Sequence, residues 1–173
     1  LRHHKPESAV LFCNTKQRCE EVVTALSEKG FQVAALHGDL EQRDRDLVLV
    51  KFSNRSCPLL VATDVAARGL DIKDLAMVIN VEMAFDAEVH VHRIGRTGRA
   101  GANGTALSFC DNEEKPLLRD IEKLIGKKIP VENEHPYPLS DEPIVIVPKV
   151  QNHTHARPAA NKTKKWFGRK KGA

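Results

Sequence analysis

The residues best suited to chemistry lie in the segment VHVHRIGRTGRAG, residues 89–101, which combines two histidines, three arginines and three glycines. Arginine presents a planar fork of N–H donors that matches phosphate oxygens, and glycine lets a phosphate approach the backbone closely. The segment therefore predicts phosphate binding. The chain nevertheless has no G-x-x-x-x-G-K-[ST] loop, the pattern that commonly cradles a nucleotide.

The spacing of the basic residues predicts one face of a helix. Residues i, i+4 and i+7 of a helix share a face, and His92, Arg96 and Arg99 have that spacing. Arg93 lies about 100° round the helix from His92, and we expect a structural role for it. On spacing alone, a solvated basic face that ends in glycine is an equal alternative.

Metal binding and membrane insertion are both disfavoured by the sequence. His90 and His92 are two residues apart, with no carboxylate or cysteine at the spacing that a tetrahedral metal site needs. The four cysteines form no C-x-x-C pair, which predicts buried thiols in a reducing cytosol. The longest apolar runs, PLLVA and IVIV, are too short to span a bilayer.

Apolar runs alternate with segments of helical spacing, which predicts a parallel α/β sheet with helices on both faces. The predicted strands are SAVLFCNT, FQVAALHG, PLLVATD, LAMVINV and GTALSFC. The predicted helices are TKQRCEEVVTALSEKG, capped by Thr15 and closed by Gly30, LEQRDRDLVLVKFSN, and NEEKPLLRDIEKLIG, closed by Gly126. Function in such sheets sits in loops at the carboxyl ends of the strands, here NTK, HGD, TDVAARG and the segment before HRIGRTGR.

The amino-acid composition of the chain changes towards its C-terminal end. Residues 1–130 are expected to form the α/β domain, and residues 131–150 a proline-rich extension packed on or near its core. Residues 149–173 contain eight lysines and arginines and no acid, in a chain of formal net charge +4. Residues 151–173 therefore predict a disordered basic tail that anchors RNA, or a tail that serves solubility. Because the first residue is Leu1 and not Met, we expect a piece of a longer protein.

Four motifs in register carry a family resemblance. VLFCNT, HGDLEQRDR, VATDVAARGLDI and HRIGRTGR occur in this order, and together they resemble the second RecA-like domain of DEAD-box ATP-dependent RNA helicases. The resemblance covers roughly residues 8–126 and is greatest to bacterial members of the DbpA and RhlE kind. It implies a RecA-like fold of the P-loop NTPase type, a parallel β-sheet with helices on both faces.

The resemblance also implies roles at a shared ATP site. ATP and Mg²⁺ are held mainly by an N-terminal RecA-like domain, whose P-loop and D-E-A-D motifs do not occur in this chain. Arg96 and Arg99 match arginine fingers, a kind of contact that accelerates phosphoryl transfer about 10³–10⁵-fold. His92 matches the histidine that links this motif to the N-terminal domain, and Gly69 and Asp71 match positions near the nucleotide ribose.

RNA binding is implied to run along the sugar-phosphate backbone, which positions RNA without reading its sequence. The implied contacts are Asn14, Thr15, Gly38, Gln42, Arg45, Thr63, Asp64 and Arg68. Three of these residues have other readings: Thr15 as a helix cap, Arg45 in an ion pair with a neighbouring acid, and Arg68 as a residue that orients its loop. His37 is expected to be structural.

The sequence thus predicts the C-terminal half of a cytoplasmic ATP-dependent RNA helicase that opens short duplexes locally. Its partners would be RNA and its own N-terminal RecA-like domain, without which it would be inactive. The alternative is a non-catalytic RNA-binding or regulatory module. The RNA target and the oligomeric state stay open.

Overall fold

The computed structural model describes residues 1–68, 75–98 and 104–132, all within the unit Leu1–Leu139. The strands are β1 Ala9–Cys13, β2 Val33–Leu36, β3 Leu59–Thr63, β4 Met77–Asn80 and β5 Thr105–Ser108. The helices are α1 Lys16–Glu28, α2 Gln42–Ser53, α3 Asp64–Ala67, α4 Ala87–Ile94 and α5 Lys115–Ile125. The proline-rich extension beyond Glu132 and the whole basic tail lie outside the described residues.

All five strands pair in parallel, in the order β2-β3-β1-β4-β5. The central strand is β1, in which Ala9 aligns with Leu59 of β3 and with Met77 of β4. Every residue of β1 is buried, as expected for an apolar strand that is covered on both faces. The predicted parallel α/β sheet is therefore confirmed, strand for strand.

Alternate residues of β1 enter two separate cores because successive side chains of a strand point to opposite faces. Val10 and Phe12 belong to the cluster that includes Phe52 of α2 and the two alanines Ala66 and Ala67 of α3. The other residues of β1 join the opposite cluster, which α1 covers with Cys19, Val22, Val23 and Leu26. Helix α1 thus lies on one face of the sheet, and α2 and α3 lie on the other.

The predicted helix boundaries depend on one hydroxyl and two glycines. The Thr15 hydroxyl accepts a hydrogen bond from the backbone N–H of Arg18 at 3.1 Å, which confirms it as the cap of α1. Gly30 follows that helix with a φ of 81°, and Gly126 ends α5 with a φ of 65°. Both angles lie in the left-handed region, where glycine has no Cβ penalty.

Helix α3 was not predicted. Its residues belong to TDVAARG, which the sequence analysis treated as a loop, and they form one short turn after β3. The hydroxyl of Thr63 caps this turn by accepting from the backbone N–H of Ala66 at 3.4 Å. A four-residue helix is too short to show a hydrophobic period, so sequence spacing could not reveal it.

The helical face predicted for His92, Arg96 and Arg99 does not extend to Arg96. Helix α4 ends at Ile94 with Gly95 as its C-cap, so Arg96 lies beyond the helix, and Arg99 lies outside the described residues. A tertiary contact competes with continuation of the helix, because the backbone N–H of Leu75 donates to the carbonyl of Arg96 at 3.2 Å. The Thr97 hydroxyl donates in turn to the carbonyl of Leu75.

Gly104 packs directly against this post-helical turn. A Cβ at Gly104 would collide with Thr97 Oγ1 and would lie 2.8 Å from Gly98 Cα, closer than real Cβ atoms approach such groups. The start of β5 and the turn after α4 are therefore fitted to each other without room for a side chain.

We expect Gly104→Ala to lower the free energy of unfolding by about 1–3 kcal/mol, because the added methyl group forces backbone shifts. Gly38→Ala is the matched control, since a Cβ there would meet no heavy atom within 4 Å. Urea denaturation of the two variants and the parent chain measures the difference. Equal stability of both variants would contradict the close packing of Gly104.

Candidate functional site

Helix α4 directs one arginine into the carboxyl edge of the sheet. Asp86 caps the helix by accepting from the backbone N–H groups of Glu88 at 2.7 Å and Val89 at 3.4 Å. His90 and Arg93, which are three residues apart on one helix face, are 1% and 2% exposed. The structural role predicted for Arg93 is thereby confirmed, and its position makes it the centre of the site.

All five N–H groups of the Arg93 guanidinium have acceptors. Its Nε donates to Asp64 Oδ1 at 2.7 Å, and Nη2 donates to Asp64 Oδ2 at 2.6 Å and to Asn14 Oδ1 at 2.8 Å. Its Nη1 donates to the carbonyl of Glu82 at 2.9 Å and to Asn80 Oδ1 at 3.4 Å. One side chain therefore links α4 to the carboxyl ends of β1, β3 and β4.

The surroundings of this guanidinium favour its positive charge and disfavour a second positive charge on His90. Arg93 Cζ lies 5.4 Å from the centroid of the Phe12 ring, within range of a cation–π contact. Burial, and next the charge of Arg93, lower the pKa of His90 to about 4. His90 is therefore neutral at pH 7, and Arg93 has Asp64 as its one charged hydrogen-bonding partner in the part of the chain described.

Two carboxylates fix the loop between β4 and α4. Glu82 Oε2 accepts from the backbone N–H of Asn14 at 2.8 Å, and Asn14 Nδ2 donates to the carbonyl of Met83 at 2.9 Å. Glu114, the carboxyl whose pKa burial raises, accepts from the backbone N–H of Met83 at 2.9 Å. The loops that follow β1 and β4 are consequently joined to each other.

Two of the residues predicted to face a nucleotide, His92 and Arg96, line a small pocket of about 90 Å³. Arg68 and His92 are exposed at its rim, and Arg96 is half-buried. The pocket lining comprises Phe12, Asp64, Ala67, Arg68, Val89, His92, Arg93 and Arg96. Basic side chains from the end of α3, from α4 and from the turn after α4 thus line one pocket. Gly69, Asp71 and Arg99, also predicted for this site, lie outside the described residues.

Several of the residues predicted to contact RNA lie at the ends of three adjacent strands. Thr15 follows β1 and is exposed, and Thr63 ends the neighbouring β3, where it aligns with Cys13. Gly38 follows β2 and is exposed. Capping of α1 by Thr15 is compatible with binding an anion, because a helix N-terminus favours negative charge.

Gln42 and Arg45 lie in the first turn of α2. Gln42 is exposed and donates from Nε2 to Asp46 Oδ1 at 2.7 Å, and Arg45 donates from Nη2 to the carbonyl of Ala66 at 3.2 Å. Arg45 therefore links α2 to α3. This contact differs from the alternative expected for Arg45, an ion pair with a neighbouring acid. His37 is buried and hydrogen-bonds through Nε2 to Glu20, as befits a structural residue.

Three functional partners were missed by the sequence analysis. Asn80, Glu82 and Glu114 hold Arg93, Asn14 and Met83 in place, respectively. Asn80 alone gave a signal, since it is a polar residue within the apolar run LAMVINV. Glu82 and Glu114 are both half-buried, and Glu114 lies in the polar run DNEEK, where nothing in the sequence marks it as an acceptor.

The described residues include neither a metal-binding cluster nor a helix that could span a membrane. In residues 1–68, 75–98 and 104–132, no group of three or more His, Cys, Asp or Glu side chains is arranged to hold a metal ion. Over the same ranges, no helix has the length and apolar character needed to cross a membrane.

Comparison with known proteins agrees with this architecture. The helicase conserved C-terminal domain matches residues 1–101. The ATP-dependent RNA helicase DbpA of Escherichia coli strain K12 is 58% identical over 129 residues, which are 75% of this chain and 28% of that protein.

Two solved structures are similar at the level of fold and sequence. A DEAD box protein from the hyperthermophile Methanococcus jannaschii has a TM-score of 0.68 and 41% identity, over 74% of this chain and 36% of that one. A Saccharomyces cerevisiae Dbp5 variant bound to RNA and ADP BeF3 has a TM-score of 0.63 and 34% identity, over 71% of this chain and 34% of that one. The chain therefore spans 28% to 36% of the length of these three relatives.

We expect Arg93→Met to lower the free energy of unfolding by about 3 kcal/mol, because it leaves the Asp64 carboxylate without its buried partner. The lower end of the usual range applies, since the Asp64 side chain is 28% exposed. Arg55→Met is the matched control: Arg55 and Glu7 form an ion pair whose side chains are 64% and 74% exposed, and its loss costs less than about 1 kcal/mol. Similar losses in the two variants, measured by urea denaturation, would contradict a central role for Arg93.

Proposed function

The chain belongs to the helicase conserved C-terminal domain family, within the DEAD-box RNA helicases, and from that premise we propose that it works as the C-terminal half of an ATP-dependent RNA helicase. The observation that carries the proposal is the pocket at which Arg68, His92 and Arg96 converge beside the ends of the RNA-facing strands. The same edge of the sheet can then serve both ATP and RNA.

At the nucleotide, the proposed work of this chain is charge stabilisation. Phosphoryl transfer spreads negative charge over the γ-phosphate oxygens, and positioned arginine donors stabilise it. Arg96 and Arg99 would donate to that group, while ATP and Mg²⁺ are held mainly by an N-terminal RecA-like domain. His92, exposed beside Arg96, would contact that domain, and Gly69 with Asp71 would lie near the ribose. The cluster of basic side chains at the pocket fits a phosphate.

At the RNA, the proposed contacts run along the carboxyl edge of β2, β3 and β1. These residues are exposed or half-buried at the ends of these strands, at the end of α3 or in the first turn of α2, where phosphates can approach. This outward set consists of Thr15, Gly38, Gln42, Arg45, Thr63 and Arg68. Hydroxyl, amide and guanidinium donors of this kind hold a sugar-phosphate backbone without reading the bases. Closure on RNA and ATP together would separate a short duplex in the cytoplasm.

A non-catalytic RNA-binding module is the competing function, and ATP turnover distinguishes the two. We expect RNA-stimulated ATPase activity in the longer parent protein with its N-terminal domain, and none in this chain alone. RNA binding by the parent protein without RNA-stimulated turnover would establish the competing function.

In the longer parent protein, Arg96→Ala and Arg99→Ala should each lower RNA-stimulated kcat about 10³-fold or more, the usual effect of losing an arginine finger. ATP affinity, measured by titration with a fluorescent analogue, should change little, since the other domain holds most of the nucleotide. Arg119→Ala, which removes an exposed arginine of α5, is the matched control. Full turnover in both test variants would remove the finger assignment.

For the basic tail, residues 151–173, we propose a non-specific RNA anchor. Replacing its lysines and arginines with glutamine should weaken RNA binding at low salt and flatten the dependence of log K on log salt concentration, because fewer counterions are released. A variant with the same composition in scrambled order is the control and should bind normally. Unchanged affinity after neutralisation would leave solubility as the role of the tail.

A further inference from the structure

We propose that Arg93 is a positioning residue that couples RNA contact to the placement of Arg96, and that Asn14 and Asp64 serve RNA binding through Arg93. This inference rests on the proposed function, because it concerns how the same site responds to RNA. It changes the role expected for two residues that the sequence analysis had assigned to direct RNA contact.

The polar atoms of Asn14 and Asp64 are already committed within the protein. Both Asp64 carboxylate oxygens accept from Arg93, at 2.7 Å and 2.6 Å. Asn14 Oδ1 accepts from Arg93 at 2.8 Å, and Asn14 Nδ2 donates to the carbonyl of Met83 at 2.9 Å. A carboxylate would also repel a phosphate, so Asp64 is poorly suited to a direct contact with the RNA backbone.

Each of these two residues adjoins a threonine of the outward RNA set. Asn14 precedes Thr15 at the end of β1, and Asp64 follows Thr63 at the end of the adjacent β3. A single guanidinium therefore sets the separation of two loops that both face the RNA. Because its donors form a rigid planar fork, a shift of either loop strains bonds to the other.

The path from Arg93 to Arg96 is short and hydrogen-bonded. The backbone N–H of Arg96 donates to the carbonyl of Arg93 at 3.1 Å, in the turn that closes α4. The carbonyl of Arg96 accepts from Leu75 at 3.2 Å. A change in how the strand ends hold Arg93 is therefore passed to Arg96 through one turn of backbone.

The test uses the longer parent protein and a double-mutant cycle of Arg93→Lys with Asp64→Asn. Lysine keeps the charge but has three donors where Arg93 uses five. We expect each single variant to lower RNA-stimulated kcat and to raise the RNA concentration for half-maximal stimulation, each roughly tenfold. The double variant should be no more than about twofold worse than either one, because both changes break the same link.

The inference would be overturned if the effects of the two single substitutions on RNA-stimulated kcat multiplied in the double variant. Asp64 would then act on RNA independently of Arg93. The inference would also be overturned if kcat fell only in proportion to the unfolded fraction of the variant while the RNA concentration for half-maximal stimulation stayed the same. That result would indicate a purely structural role for Arg93. If Arg93→Lys does not fold, a cycle of Asn14→Ala with Asp64→Asn must show the same non-additivity, and additivity there also overturns the inference.

The matched control is Arg55→Lys with Glu7→Gln, an exposed ion pair, which should leave both kinetic parameters unchanged. Failure of the inference and failure of the proposed function are distinguishable. Absence of RNA stimulation in the unaltered parent protein contradicts the proposed function and the inference with it. RNA stimulation combined with multiplying effects contradicts the inference alone.

Discussion

The hydrogen bonding of one buried guanidinium holds the functional edge of this domain together. Arg93 could not be buried as a charge without Asp64, and it could not satisfy its remaining donors without the Asn14 and Asn80 side chains and a backbone carbonyl. Its planar fork requires these acceptors to lie in fixed directions, so three strand ends and a helix must assemble in one relative arrangement. The loops after β1, β3 and β4, which carry the proposed nucleotide and RNA contacts, take their positions from that arrangement.

Most of the fold could be predicted because its signals are local. The strands are short apolar runs, and the ends of α1 and α5 are marked by a threonine cap and two glycines. A structural role for Arg93 was also predicted, but its partners were not: Asn14 is 79 residues away along the chain and Asp64 is 29. Pairing across such separations is decided by the three-dimensional packing of strands.

The predicted helical face stops short of Arg96 because a contact between residues distant in sequence also decides where α4 ends. Residue spacing assumes that a helix continues, and it takes no account of a distant backbone that competes for the same carbonyls. Leu75 accepts from Thr97 and donates to Arg96, and Gly95 gives the chain an easy point to leave the helix. This turn brings Arg96 to the pocket that His92 also lines. The two residues are therefore close together as predicted, but through a turn and not through a shared helix face.

The strand order has a further consequence for where a ligand can sit. The central strand β1 leads to a helix on one face, while its neighbours β3 and β4 lead to helices α3 and α4, which pack on the opposite side with Ala66 and Phe12. Open α/β sheets bind ligands in the crevice that such a reversal creates. Here the protein fills that crevice with its own guanidinium. The basic side chains proposed to contact phosphate, Arg68, His92 and Arg96, lie beside it and are exposed or half-buried.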